Sequence, residues 1–254
     1  MNPNHLRLIG TAAASAALAI AAVSLTSGDG SRSTEDLRAE VREYLLENPE
    51  VIMEAVAVLE EREAQQQQAN DVELVSANAD DLFNDGNSWV GGNPDGDLTI
   101  VEFLDYRCGY CRRAHPEVAA LLAADENIRL VVKELPILGE ESLLASRFAI
   151  ATKFVEGDEA YKTLHDTLMS FEGAVNETTL RRISDALGYQ TDTIAARIED
   201  PEVTQVIAEN HQLAQRLQIN GTPAFVMGER LLRGYVPLAG MQQLAADERA
   251  KPQG

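Results

Sequence analysis

The sequence has very little cysteine: Cys108 and Cys111 are its only two cysteines, and only Gly109 and Tyr110 separate them. Structural disulfides stabilise a fold mainly by closing long loops of chain. A bond between these two residues would close almost no loop, so the sequence excludes a fold that disulfides hold together. The close spacing of the two cysteines therefore needs a chemical explanation rather than a structural one.

Basic residues are also scarce. Lysine and arginine together number 21 against 41 aspartates and glutamates, which gives a formal net charge of −20. Such a charge repels nucleic acids and anionic lipid surfaces. We therefore predict no nucleic-acid partner.

Long apolar runs are missing except at the beginning of the chain. His5 and Arg7 precede an alanine-rich apolar run over residues 8–25, and small and polar residues follow it. This order is typical of a secretory signal, here over residues 1–26. The run is at the lower length limit for a membrane span, so an uncleaved anchor stays open. We expect an exported protein in the periplasm, where disulfides persist.

Helical spacing dominates the next part of the chain, residues 34–69. Two helices are predicted there, with a break at Asn48 and Pro49, and the second carries an apolar stripe. A helix this short cannot bury the stripe by itself. The stripe therefore packs either on the chain's own domain or on other copies of the chain. Residues 70–97 are rich in turn formers, which predicts a connector with a short edge element.

A compact domain is predicted over residues 98–250. The apolar run LTIVEFL at 98–104 and the run IRLVVKE at 128–134 read as buried strands, with a helix between them. This order implies a parallel pair joined by a right-handed crossover. A helical insertion follows at about 140–218, and then a hairpin and a closing helix. The fold class is α/β.

The cysteines fall where the first strand passes into the helix. This places Cys108 near the helix N-cap, where exposed N–H groups and the helix dipole favour an anion and lower a thiol pKa. Cys111 lies one turn further and faces back towards Cys108. Arg112 and Arg113 add positive charge nearby, although both are also compatible with a solvated position. The pattern predicts an attacking thiolate with a resolving thiol behind it.

A metal site is the alternative explanation of the pair. Cys108, Cys111 and His115 offer three ligands, but a closed zinc site needs four, and His165 and His211 lie on the inserted helices. We therefore predict no metal site and no cofactor other than a redox-active Cys108–Cys111 disulfide. A monovalent copper site on the same thiols needs fewer ligands and stays open.

The motifs VEFLDYRCGYC, KELPILGEESLLASRFAIA and GTPAFVMG together resemble the DsbA family of thioredoxin-fold oxidoreductases. The resemblance covers about residues 98–247. It implies a thioredoxin fold, βαβ followed by ββα, with an inserted helical domain. The stretch LRAEVREYLLENPEVIMEAVAVLEERE resembles the N-terminal stalk of ScsC-like members, which are linked to copper tolerance. Some of these oligomerise and act as isomerases, so we expect a homo-oligomer formed through residues 34–68.

The resemblance also implies roles for the residues around the cysteines. Cys108 would be the attacking thiolate and Cys111 the resolving cysteine, with Gly109 and Tyr110 tuning the redox poise between them. The archetypal member has Pro-His at these two positions, so its extreme oxidising power does not carry over to a Gly-Tyr pair.

Three further site residues lie elsewhere in the chain. Pro223 matches the cis-proline that faces the cysteines, and Thr222 before it would offer backbone hydrogen bonds to a bound peptide. Glu102 matches the buried acid near the cysteines, with Lys133 on the neighbouring strand as its expected partner. A carboxylate in an apolar strand is costly unless it is paired or functional, so a purely structural ion pair is the alternative.

The function expected from these features is thiol–disulfide exchange with other exported, cysteine-containing proteins. An oxidase would be reset by a quinone-linked membrane partner, whereas an isomerase would be kept reduced by a membrane reductase. The alternative function is copper binding by the same thiols.

Overall fold

The computed structural model describes residues 33–251. The predicted signal segment over residues 1–26 lies outside this range. The described residues divide into two units, 33–62 and 63–251, with the boundary after Arg62. In the part of the chain that is described, no helix has both the length and the apolar character needed to cross a membrane.

The first unit consists of α1, Thr34–Glu47, and the beginning of α2, Glu50–Ala77. The N-cap of α1 is Ser33, whose Oγ accepts a hydrogen bond from the Asp36 N–H at 3.0 Å. Asn48 and Pro49 separate the two helices, as predicted. No residue of α1 is buried. The exposed large apolar residues of this unit are Leu37, Val41, Tyr44, Leu46, Ile52, Met53, Val56, Val58 and Leu59.

The predicted helix end near residue 69 is wrong, because α2 continues to Ala77. Tertiary contacts stabilise this last part: Val75 is buried in a core, and Asp71 forms a bidentate ion pair with Arg233 at 2.8 Å. The predicted connector therefore contains the end of α2 and a short helix, α3 (Ala79–Phe83), before the edge strand β1 (Trp89–Gly92).

A five-stranded sheet forms the centre of the second unit. Its other strands are β2 (Leu98–Leu104), β3 (Ile128–Glu134), β4 (Ala224–Met227) and β5 (Arg230–Arg233), in the order β1-β3-β2-β4-β5. The pair β2–β3 is parallel, which confirms the prediction, and all other pairs are antiparallel.

The helices follow the predicted order. The cysteine helix is α4 (Gly109–Ala124), and the insertion consists of α5 (Glu140–Glu156), α6 (Asp158–Ser170), α7 (Glu177–Leu187), α8 (Thr191–Arg197) and α9 (Pro201–Arg216). The closing helix is α10 (Leu238–Arg249). The result is a thioredoxin-type βαβ–ββα arrangement with a helical insertion and an N-terminal helical segment.

The two faces of the sheet contact different cores, because successive residues of a strand point to opposite sides. Ile100 and Leu104 of β2 contact the larger core, which includes Cys111 of α4. Val101 and Phe103 contact a smaller core that includes residues of α2, α3 and α9. Each side chain of β2 or β3 is therefore either on the cysteine side of the sheet or opposite to it.

Candidate active site

Cys108 is the N-cap residue of α4. Its backbone is extended, with φ −76° and ψ 116°, so the chain turns from β2 into the helix at this residue. The Cys108 Sγ lies 3.1 Å from the backbone carbonyl oxygen of Thr222. Cys108 and Cys111 are both free thiols, and both are buried.

The two thiols have very different acidities. Hydrogen bonding from the Cys111 thiol is the largest cause that lowers the pKa of Cys108, to about 5. The Thr222 side chain and the backbone N–H groups of Tyr110 and Cys111 lower it further, against the effect of burial. The same interaction with Cys108, together with burial, raises the pKa of Cys111 well above its usual value. The pair is therefore one thiolate and one thiol at neutral pH.

The loop opposite the cysteines contains a cis peptide bond between Thr222 and Pro223. Pro223 is buried and precedes β4 directly, and its carbonyl oxygen accepts a hydrogen bond from the Gly234 N–H at 2.9 Å. Among the described residues, the buried Oγ1 of Thr222 makes no hydrogen bond of regular geometry, yet it lies close enough to the Cys108 sulfur to lower the pKa of that thiol.

The dipeptide between the cysteines is exposed. A Cβ at Gly109 would meet no atom within 4 Å. The ring of Tyr110 is 61% exposed and lies 6.4 Å from the ring of Tyr235, centroid to centroid. Arg113 stacks over Tyr235 at 4.5 Å, and the Arg112 Nε donates to the Tyr106 carbonyl oxygen at 2.9 Å. Both arginines therefore have other partners than the thiolate.

Glu102 is on the cysteine side of the sheet, where it is paired with Val132 and Phe225 in the neighbouring strands. It is 2% exposed, and its Oε1 has no hydrogen-bond partner within residues 33–251. Burial raises the pKa of Glu102 to about 8, and repulsion from Glu134 adds to this effect. The carboxyl is therefore mostly protonated at neutral pH.

The expected partnership of Glu102 with Lys133 is wrong. Lys133 is paired with Phe103, not with Glu102, so its side chain points to the opposite face of the sheet. There its Nζ contacts Asp85 Oδ2 at 2.5 Å and the Asp81 carbonyl oxygen at 2.6 Å. Lys133 therefore belongs to a buried ion pair away from the cysteines.

Glu134 is a buried acid that the sequence analysis missed. It is paired with Leu104, on the same face as Glu102. Burial raises the pKa of Glu134 to about 7. Its carboxylate accepts hydrogen bonds from Tyr106 at 2.7 Å, from Tyr161 at 2.6 Å and from Ser146 at 2.8 Å. The sequence feature that could have identified Glu134 is its position as an acidic residue at the end of the apolar strand IRLVVKE.

A model of the DSBA-like thioredoxin domain matches residues 99–246, more than half of the chain. The chain belongs to this family. Its members are generally thiol–disulfide oxidoreductases. A model of the copper resistance protein ScsC N-terminal domain matches residues 34–66. The proposed DsbA-like and ScsC-like resemblances are therefore both confirmed.

Solved structures agree with this assignment. A thioredoxin-like oxidoreductase from Silicibacter pomeroyi DSS-3 is 45% identical and covers 68% of this DsbA-like chain and 98% of its own, with a TM-score of 0.64. A linker-deletion mutant of ScsC from Proteus mirabilis is 26% identical over 88% of this chain and 99% of its own, with a TM-score of 0.65.

The curated relatives are longer proteins. The Na(+)/H(+) antiporter NhaA 3 of Salinispora tropica is 27% identical over 65% of this chain, but the match spans only 26% of the antiporter. The DsbA-like chain thus corresponds to about a quarter of that relative.

Two histidines that are distant in the sequence meet beside α4 in this DsbA-like domain. The rings of His115, on α4, and His165, on α6, are 5.1 Å apart between centroids. Burial lowers the pKa of both imidazoles, most strongly that of the fully enclosed His165. His165 lies on an inserted helix, far from the cysteine motif in sequence, and only the folding of α6 against α4 joins the two residues.

Proposed function

We propose that this protein is an exported thiol–disulfide oxidoreductase that exchanges disulfides with cysteines of other exported proteins. The observation that carries the proposal is the thiol pair at the N-terminus of α4. Cys108 has a pKa of about 5, so it is a thiolate at neutral pH, and Cys111 retains its proton beside it. The thiolate is the nucleophilic form of cysteine.

In the reducing direction, the Cys108 thiolate attacks one sulfur of a substrate disulfide. A new Cys108–substrate bond forms, and the other substrate sulfur leaves as a thiolate that takes a proton from solvent. Cys111 then loses its proton and attacks the Cys108 sulfur, which releases the reduced substrate and leaves a Cys108–Cys111 disulfide. Oxidation of a substrate follows the same steps in reverse. In isomerisation a substrate thiol resolves the mixed disulfide, with no net electron transfer.

The surface around Cys108 supports peptide binding. Thr222 and Pro223 lie on the loop that contacts the sulfur, and in this proposal the backbone of Thr222 hydrogen-bonds an extended substrate. Gly109 and Tyr110 are exposed next to it, so they contact the substrate and tune the redox poise of the pair.

Glu102 is proposed as a tuning residue. It is buried on the cysteine side of the sheet, and its pKa of about 8 lets the carboxyl change its charge near neutral pH. A negative charge there disfavours a second thiolate, so the protonation state of Glu102 affects how readily Cys111 loses its proton.

The N-terminal helices support self-association. Their apolar residues are exposed within the first unit, and residues 34–66 match the ScsC N-terminal domain. Burial of such residues between copies of the chain would remove them from water. Several active sites in one assembly favour the isomerase mode, with a membrane reductase keeping the thiols reduced. A quinone-linked membrane oxidase would reset the oxidase mode.

The decisive experiment is recovery of ribonuclease activity from scrambled ribonuclease by the reduced protein. Recovery that is lost in Cys108→Ala supports exchange in the isomerase mode. Oxidation of reduced ribonuclease by the oxidised protein, without recovery from the scrambled form, supports the oxidase mode. If neither reaction occurs, thiol–disulfide exchange is rejected.

Copper binding by the two thiols is the second candidate, favoured by the match to the copper resistance protein domain. Anaerobic titration with Cu(I) distinguishes it from exchange. Stoichiometric uptake that requires Cys108 and Cys111, in a protein without turnover on ribonuclease, would support this candidate.

A further inference from the structure

Three side chains of types that can ligate a metal converge beside α4, about one helical turn beyond Cys111. They are His115, His165 and Asp166, and one ligand atom from each lies within 4.8 Å of the other two. His115 is on α4, whereas His165 and Asp166 are on α6 of the insertion. They are distinct from the cysteine pair.

Two atoms of the cluster are already as far apart as two ligand atoms of one metal ion. The His115 Nε2 and the Asp166 Oδ1 are 3.2 Å apart. Two ligand atoms bound to one tetrahedral metal at 2.0–2.1 Å are about 3.3 Å from each other. The other separations, at most 4.8 Å, would close through small movements of His115 and Asp166, which are both partly exposed.

The Asp166 Oδ1 is an unsatisfied atom. It is buried, and despite its closeness to His115 it makes no hydrogen bond within residues 33–251. The other oxygen, Oδ2, pairs with Lys162. A buried carboxylate oxygen without a donor is unfavourable, and a bound cation would satisfy it.

The hydrogen bonding of His165 is compatible with a role as a metal ligand. Its Nδ1 lies 3.1 Å from the Tyr106 hydroxyl oxygen, and the Tyr106 hydroxyl donates its hydrogen to Glu134. The hydroxyl oxygen therefore accepts from the His165 Nδ1–H, and this tautomer leaves the lone pair on Nε2. Ligating histidines characteristically use their second ring nitrogen in such a hydrogen bond.

We propose that His115, His165 and Asp166 form a binding site for a divalent transition-metal ion that prefers imidazole ligands, such as Zn²⁺ or Cu²⁺. Two imidazole nitrogens and one carboxylate oxygen suit these ions, and water would complete the coordination. The bound ion would connect the cysteine helix to the helical insertion.

The test uses the full protein with Cys108→Ser and Cys111→Ser, because the thiols also bind these metals. Calorimetric titration with ZnCl₂ is expected to show one site per chain, and bound Zn²⁺ is expected to raise the melting temperature. In the same background, His115→Ala and Asp166→Asn are each expected to weaken binding at least ten-fold. Both side chains are partly exposed, so these variants leave the core intact, which circular dichroism checks.

His211→Ala is the matched control, because His211 is a partly buried histidine on another helix of the insertion and is expected to leave the affinity unchanged. Electron paramagnetic resonance with CuCl₂ gives a second readout: nitrogen hyperfine structure from imidazole in the parent, diminished in His115→Ala. The proposal is overturned if the parent takes up neither ion. Uptake that is unaffected by His115→Ala and Asp166→Asn overturns it as well.

Discussion

Cys108 and Cys111 are one helical turn apart, yet one thiol is acidic and the other is not. The difference comes from their placement, since Cys108 is the N-cap residue of α4, where the Cys111 thiol and the backbone N–H groups of the first turn lower its pKa. A thiolate is stabilised by each donor that points at it. The asymmetry therefore depends on single donors that can be removed one at a time.

Cys111→Ala is expected to raise the pKa of Cys108 from about 5, because it removes the largest cause of the lowered value. Cys111→Ser retains a donor and should preserve most of the effect. The rate of alkylation of Cys108 by iodoacetamide, followed by mass spectrometry against pH, measures both values. An unchanged midpoint in Cys111→Ala would show that the helix N-terminus is sufficient.

The raised pKa of Glu102 predicts that the free energy of unfolding falls as the pH rises. Burial raises its pKa from 4.5 to about 8 in the folded protein, so the native state binds more protons than the unfolded chain between these values. The free energy of unfolding should decrease by a few kcal/mol across this window. Glu102→Gln should flatten that decrease in urea denaturation series at pH 5 and pH 8.

Glu126→Gln is the control, since this exposed carboxyl is hydrated in both states and its loss should leave the slope in place. Glu134, whose pKa is about 7, contributes to the same window, so Glu102→Gln removes only a part of the pH dependence. A slope identical to that of the parent would contradict a protonated Glu102.

At the level of elements, successive side chains of β3 point to opposite faces of the sheet, and this alternation decides which acidic and basic side chains meet. Lys133 and Glu134 are adjacent in sequence, but they lie on opposite faces of the sheet. Sequence distance therefore misleads about partnership, and the register of β2 against β3 is what places Glu102 beside Glu134 rather than beside Lys133.

Asp85→Asn is expected to lower the free energy of unfolding by roughly 3 kcal/mol, because it leaves the buried ammonium of Lys133 without its counter-charge. The pKa of Cys108 should not change, since this ion pair is on the opposite face of the sheet from Cys111. Denaturation and alkylation of the same variant test the two statements. A shifted alkylation midpoint would restore Lys133 as an active-site residue. Asp95→Asn, an exposed loop position, is the control for the charge change.

For the whole molecule, the division at Arg62 separates an exposed apolar helical segment from the DsbA-like domain. The last part of α2 belongs to that domain, because Asp71 pairs with Arg233 and Val75 is in its core. The N-terminal segment can therefore be removed up to Arg62 without loss of these contacts, but not as far as Asp71.

Deletion of residues 33–62 is expected to leave the domain folded, because its core and the Asp71–Arg233 pair remain, and to reduce the number of chains per particle in solution. Light scattering measures the particle mass, which is divided by the mass of the shortened chain, and thermal denaturation measures the fold. An unchanged number of chains per particle would reject self-association through these helices. Extending the deletion to residue 77 should destabilise the domain, because it also removes Asp71 and Val75.

Much of the fold was predictable from local patterns. The apolar runs of β2 and β3, the hairpin of β4 and β5 and the strand-to-helix junction at Cys108 depend on residues close together in the chain. The C-terminal end of α2 could not be predicted in this way. The residues around Val75 are helical because they pack on strands that are distant in the sequence.

By itself the sequence determined the family, the cysteine pair at a helix N-terminus and the α/β order, since each depends on short motifs and hydrophobic spacing. Only the tertiary structure decided that Lys133 pairs with Asp85, that Glu102 lies near Glu134, and that His165 meets His115. The reason is physical: strand register and the docking of an inserted helix join residues that are far apart in sequence, and no local pattern encodes those distances.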